Sequence, residues 1–297
     1  MVQTKRAAIQ DTYGCIKWEV KFLPLGETTQ SQQDKKDELK NLFLQQTEDL
    51  EMVRSIMKAT YFTQRKEVNE GRAIKEMRED WPWWFMETGM TTHFQELTGI
   101  HLKEDFLKNV DQKGKRLLNY MKTIAANKNK KLCQATAKLE FIRGEHTGSS
   151  ADVIEMVLLL LAYFDEKEEV MFCYVDETCL AEDVEFAEVA LTPTIVVCGQ
   201  SSFSARRMML SIDQVIVNDQ MTTFIQSLCM MFGSYYSYNI HYPSKLASTL
   251  EFLQRCFFSI NPDKGSKVEK TSTAHMQVNP RVLTLIQDLA DYEWRDV

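Results

Sequence analysis

Ser201 is the residue best placed in the sequence for nucleophilic chemistry. It follows an apolar run and Gly199, with Asp213 and His241 downstream in serine-hydrolase order. A nucleophile elbow needs a second glycine two residues on, so that the chain can turn sharply. Phe203 stands there instead and would crowd the turn. His93, His101, His146, His241 and His275 show neither HxxxH nor HExxH spacing, so each reads as a surface or capping residue. The acidic pairs Asp176, Glu177 and Glu182, Asp183 have the chemistry of a hard-cation site but lie in a polar connection, where a solvated loop is the simpler reading. Arg206 and Arg207 have the charge to meet a phosphate, yet no glycine-rich cradle of either nucleotide-binding type accompanies them. No catalytic residue, metal site or cofactor is expected.

Charge segregation is the stronger signal. The chain has a net charge of -7, which argues against a uniformly basic nucleic-acid binder. Residues 103–143 nevertheless hold eleven Lys and Arg against four Asp and Glu, whereas residues 145–190 hold thirteen acids and one Lys. Two readings follow. Either two solvated faces attract each other, or a basic surface for a polyanion lies beside an acidic surface for a protein partner. Under the second, the candidate nucleic-acid contacts are Lys113, Lys115, Arg116, Lys128, Lys130 and Lys131. Trp81, Trp83 and Trp84 stand within four residues. Such a cluster is expected to lock a helix corner into the core, an exposed platform for bases or a peptide being the alternative.

The elements that position these residues change in character along the chain. Residues 1–30 read as a loosely packed arm with Gly14, Pro24 and Gly26. A helical pattern then emerges from a polar start through Leu39, Leu42, Phe43, Leu50, Val53 and Met57, and a charged helical segment covers 54–78. Gly99 suits a helix end. Leu102, Phe106, Val110, Leu117 and Met121 continue the helical spacing, with a candidate break at 111–114. Residues 151–164 are apolar nearly all round and therefore a buried helix, with Ser149 and Asp152 as a capping-box-like start. The β-formers of 170–175, 194–198 and 209–217 predict three strands. A helix over 222–232 closed by Gly233 comes next. Residues 236–242 alternate as a half-buried strand, or extend that helix. A helix over 246–260, a polar linker over 264–277 and a last helix over 281–293, capped by Asn279 and opened by Pro280, complete the chain.

The expected class is α+β, a mainly helical N-terminal half followed by a small sheet flanked by helices. The divisions fall at 1–49 (arm and start of the first helix), 50–145 (helical, basic) and 146–297 (α+β with an acidic connection). Leu250, Leu253, Phe257, Phe224, Leu228 and Ile195 are the candidate core. Seven cysteines, odd in number and scattered, with no apolar signal segment at the start, predict reduced thiols in a chain of the cytoplasm or nucleus that is not secreted. The longest apolar stretch, 153–164, is too short to cross a bilayer and contains Glu155.

Several stretches carry a family resemblance: TPTIVVCG, SSFSARR, SIDQVIVND, FIQSLCMMFGSYYSYNIHYP, STLEFLQRCFFSINPDKGSKVEK and VNPRVLTLIQDLADYEWR. Upstream, QRKEVNEGRAIKEMREDWPWWFMETGMTTHFQELTGIHLKEDFL fits the same pattern. Together they resemble a multi-copy family labelled sterile-alpha-motif-domain-containing-protein-three-like, over about residues 50–297. The resemblance implies no activity, cofactor or catalytic residue to carry over. The forty-nine residues ahead of Leu50 are too few and too polar for a five-helix sterile alpha motif, so no such motif is expected here. Two functions remain: a non-enzymatic intracellular protein-interaction or regulatory protein, or a nucleic-acid-associated protein of mobile-element ancestry binding through 103–143. The sequence names no protein partner.

Overall fold

The computed structural model describes residues 13–127, 130–262, 267–268 and 278–292. Helices dominate up to residue 164. They are α1 (Thr29–Leu44), α2 (Leu50–Ala59), α3 (Tyr61–Asn69), α4 (Ile74–Asp80), α5 (Glu87–Thr98), α6 (Leu102–Asn127), α7 (Lys130–Arg143) and α8 (Ser149–Phe164). A four-stranded sheet follows, in the order β1 (Phe172–Val175), β2 (Thr194–Cys198), β3 (Arg207–Ile212), β4 (Val215–Met221). Strands β1 and β2 are parallel and the other neighbours antiparallel. Then come α9 (Phe224–Ser237), α10 (Ala247–Cys256) and α11 (Pro280–Asp291). The α+β expectation holds, with no strand before residue 145 among the described residues.

One apolar core runs from Tyr13 to Leu285 and joins both halves. The six predicted core residues are all buried. The opposite face of the sheet buries a smaller cluster, Val184, Val189, Val196, Cys198, Met209 and Ile216, so the acidic connection supplies apolar cover despite its charge. Packing explains two glycines. A Cβ on Gly89 would meet Trp83 O at 2.0 Å, and one on Gly233 would meet Leu102 at 2.9 Å. Gly233 is therefore a close helix crossing rather than a helix stop.

Several expectations need correction. Residues 209–217 are a hairpin, not one strand. Asp213 and Gln214, both at positive φ (53° and 57°), make its two-residue turn, a conformation for which Asn-Gly is the usual signal. The alternation at 236–242 is not a strand. The helix continues through Ser237, and only Tyr242 makes an isolated bridge, to Val268. The polar side chains Ser234, Ser237 and Asn239 are buried, with Ser234 Oγ donating to Met230 O one turn back. Helix α6 runs unbroken through 111–114. The first helical pattern is split at 45–49, where Asp49 caps α2 by accepting from Met52 N. Gly148, not Ser149, precedes α8, and no side chain caps it. The arm is not loose over 13–18, because Tyr13, Cys15 and Trp18 are buried. Leu97 O accepts from Ile16 N and Lys17 N. In 264–277, Lys267 and Val268 are buried core residues, and the rest lies outside the described residues.

Candidate functional site

The six basic candidates do not form one stripe. Positions two apart on a helix point to different sides, and α6 divides them accordingly. Lys113 Nζ donates to Asn109 Oδ1 and to Cys256 O, both at 2.9 Å. Arg116 donates to Ala290 O and Tyr292 O. These two cations thus close the C-terminal ends of α10 and α11, where free carbonyls and the helix dipole favour positive charge. Lys115 faces the other way, into a groove of about 590 Å³ between α6, α7 and α8 that it shares with Lys122, Arg143, Asp152 and Glu155. Lys130 is exposed at the start of α7. Lys131 beside it pairs with Asp165 at 2.9 Å. Lys128 lies outside the described residues.

The acidic segment folds back onto the basic one. Glu155, buried on α8, receives Lys122 at 2.9 Å and Arg143. Arg143 also meets Asp152 at 2.6 Å. These pairs, with the exposed pair of Lys131 and Asp165, give three of the cations partners within the molecule. Burial of Arg143 disfavours its charge, but Asp152 and Glu155 outweigh that and hold its guanidinium above the ordinary value.

The other sequence candidates resolve as structure. Ser201 Oγ has Ser204 Oγ as its side-chain partner at 3.0 Å, and no imidazole is at hydrogen-bond distance among the described residues. Asp213 sits in the hairpin turn with its N–H on Leu191 O, and the His241 ring lies edge-on to Tyr13. Asp176 accepts from Thr178 N and Oγ1 in a local turn. Arg207 donates to Cys179 O, tying the acidic connection to β3. Among the described residues no group of three or more His, Cys, Asp or Glu is arranged to hold a metal. Trp81, Trp83 and Trp84 are buried. The Trp84 ring lies 4.1 Å from that of His93, so they form the core corner and not a platform.

Two polar clusters escaped the sequence reading. Under Trp81, Glu67 receives Lys36 at 2.7 Å and Arg72 at 2.6 Å, while Trp81 Nε1 donates to it at 2.8 Å. Asp80 receives Lys36, Lys40 and Arg72. Burial pushes the Asp80 carboxyl up, but those three cations outweigh it and hold it well below the usual carboxylate range. Both acids lie on helices that read only as charged, and the pairing crosses 31 to 44 residues of chain for Lys36.

The second cluster surrounds Lys267, which is 1 % exposed. Its Nζ lies 4.7 Å from the Tyr13 ring centre, 5.3 Å from Trp18 and 5.1 Å from Tyr236, and has no hydrogen-bond partner among the described residues. Arg65 covers the same Trp18 at 4.5 Å and donates to Ser237 O at 2.9 Å. Burial pushes the Lys267 ammonium down to about 7; Cys15 opposes the shift and Arg65 adds to it. Burial likewise pushes the Cys15 thiol up to about 11. A lysine in a polar run carries no sign of such a position.

With this geometry in hand, comparison with known proteins locates one domain. Residues 32–86 match the family model described as sterile alpha motif domain-containing protein 3, helical domain. The match spans most of α1 and α2 to α4, with the Trp81 corner and both carboxylates beneath it. This segment is therefore similar to that helical domain, in accord with the resemblance seen in its motifs. No curated protein and no solved structure matches the chain. No helix among the described residues is long and apolar enough to cross a membrane.

Proposed function

We propose that the protein is a non-enzymatic interaction or regulatory protein whose ligand is another protein. One observation carries this reading over the nucleic-acid alternative. Six of the positive charges of 103–143, on Lys103, Lys113, Arg116, Lys122, Lys131 and Arg143, meet the molecule's own carboxylates or helix ends. A polyanion needs several cations free to replace its counterions along one track, and α6 and α7 divide the basic candidates among two helix ends, one groove and one helix start. Seven thiols, all unbridged, suit a reducing compartment, and we place the protein inside the cell on that ground. The test is retention of the intact chain on heparin across a salt gradient. The expected result is elution without salt-sensitive retention. Strong retention that falls steeply with salt, and that is lost when Lys115, Lys130 and Lys131 are changed to Gln, would move the function to nucleic-acid binding.

A further inference from the structure

A second groove, of about 330 Å³, lies between α6, α10 and α11. That volume is at the lower end of the roughly 300–1,000 Å³ typical of ligand sites. Its floor is apolar: Leu117, Phe252 and Phe257 are buried beneath it, with Ile286 and Leu289 at one wall. Its rim is cationic. Lys113, Arg116 and Arg255 line it, and none of its lining residues among the described residues is acidic, in a chain whose net charge is -7.

Arg255 is neutralised by the buried Glu251 at 3.2 Å. Lys113 and Arg116 differ. Their hydrogen bonds go to Asn109 and to main-chain carbonyls, and neither has a carboxylate within ion-pair distance among the described residues. Helix dipoles compensate part of each charge. Arg116 Nε is in addition buried with no partner among the described residues, an uncommon and costly state for a guanidinium nitrogen. An apolar slot edged by two cations that lack counter-charges among the described residues is complementary to an apolar side chain flanked by carboxylates.

We propose that this groove is the docking site for an acidic amphipathic segment of a protein partner, a Leu or Phe entering the slot while neighbouring Asp or Glu meet Lys113 and Arg116. The site rests on the interaction reading above and gives it a chemistry. Cys256 lines the groove and serves as a built-in reporter, distinct from the exposed Cys133.

The probe is a synthetic peptide of Leu and Phe flanked by Glu, compared with one in which Lys replaces every Glu. Binding to the full chain is followed by fluorescence anisotropy, and maleimide labelling of each cysteine by mass spectrometry. The acidic peptide should bind and the basic one should not, and the acidic one should slow labelling of Cys256 but not of Cys133. Lys113→Glu and Ala290→Glu should each weaken binding about tenfold, whereas Lys58→Glu on α2 should leave it unchanged. Thermal melting identifies any variant that has lost its fold, and the exposed Ala290 position supplies the result if Lys113→Glu does. Equal binding of both peptides, or unaltered affinity in a folded variant, would overturn the site. No peptide binding with a negative heparin test removes this site and leaves the interaction reading standing. Displacement of the peptide by duplex DNA removes both.

Discussion

Replacing Lys267 by Met should stabilise the protein, and by an amount that depends on pH. Met is one atom shorter but keeps an unbranched apolar chain among the three rings while removing the charge. The folded-state ammonium falls from the ordinary 10.5 to about 7. At about 1.4 kcal/mol per unit, burying the charged form costs about 5 kcal/mol. The π faces of Tyr13, Trp18 and Tyr236, at about 0.5–1 kcal/mol each, return part of this, leaving about 2–4 kcal/mol. The sign follows from proton counting. Below about pH 7 the amine is charged in both states and the full cost is present. Between there and 10.5 only the unfolded chain holds the proton, so the contribution to stability rises with pH and is complete above the unfolded value. Raised thiol and phenol groups, Cys15 among them, add slopes of the opposite sense in the alkaline range, so the difference between variant and wild type is the quantity to read. Urea unfolding at about pH 6 and about pH 9.5 supplies it. The variant should be more stable at the lower pH by the amount given, with the gap closing toward the higher. A variant less stable at pH about 6 would mean that the rings outweigh desolvation. A gap independent of pH would mean that Lys267 is not buried as described.

Three further outcomes are expected. Phe257→Ala should lower stability by about 3–5 kcal/mol in urea unfolding, because Phe257 is buried against Phe106 and Phe252; an unchanged midpoint would put the side chain at the surface. Asp80→Asn should flatten the loss of stability between pH about 5 and the acid limit, since a depressed carboxyl stabilises above its unfolded value and loses that contribution as pH falls; an acid midpoint equal to that of wild type would contradict the pairing with Lys36, Lys40 and Arg72. Glu155→Gln should leave Lys122 and Arg143 short of a counter-charge and give the intact chain a measurable salt-sensitive affinity for heparin, whereas no change would show that Glu155 does not mask them.

What the sequence discloses here follows how local the cause is. The buried character of α8, the Asn279 and Pro280 start of α11 and the β-rich runs of β1 and β2 rest on neighbouring residues, and they read correctly. The hairpin turn did not, because Asp213 and Gln214 lack the glycine that normally advertises positive φ. Gly233 was legible as a glycine but not as a crossing, since Leu102 and Met90 approach it from far along the chain. Alternation at 236–242 imitates a strand because α9 is buried on nearly every side, so its serines carry no information about exposure. The basic candidates were visible as charges, but their sorting into two helix ends, one groove and one helix start depends on which side of α6 meets which neighbour. Lys267 was the least legible, being one lysine in a polar run whose burial depends on Tyr13, Trp18 and Tyr236.

The central claim is that the intact protein recognises a protein and not a nucleic acid. The most direct measurement is a parallel anisotropy titration of the full chain with the Glu-flanked Leu and Phe peptide and with labelled single- and double-stranded DNA, between about 50 and 200 mM salt, the range over which phosphate contacts lose most of their affinity. The account predicts saturable peptide binding and no DNA binding that falls with salt. Submicromolar, salt-sensitive DNA binding with no response to the peptide would contradict it.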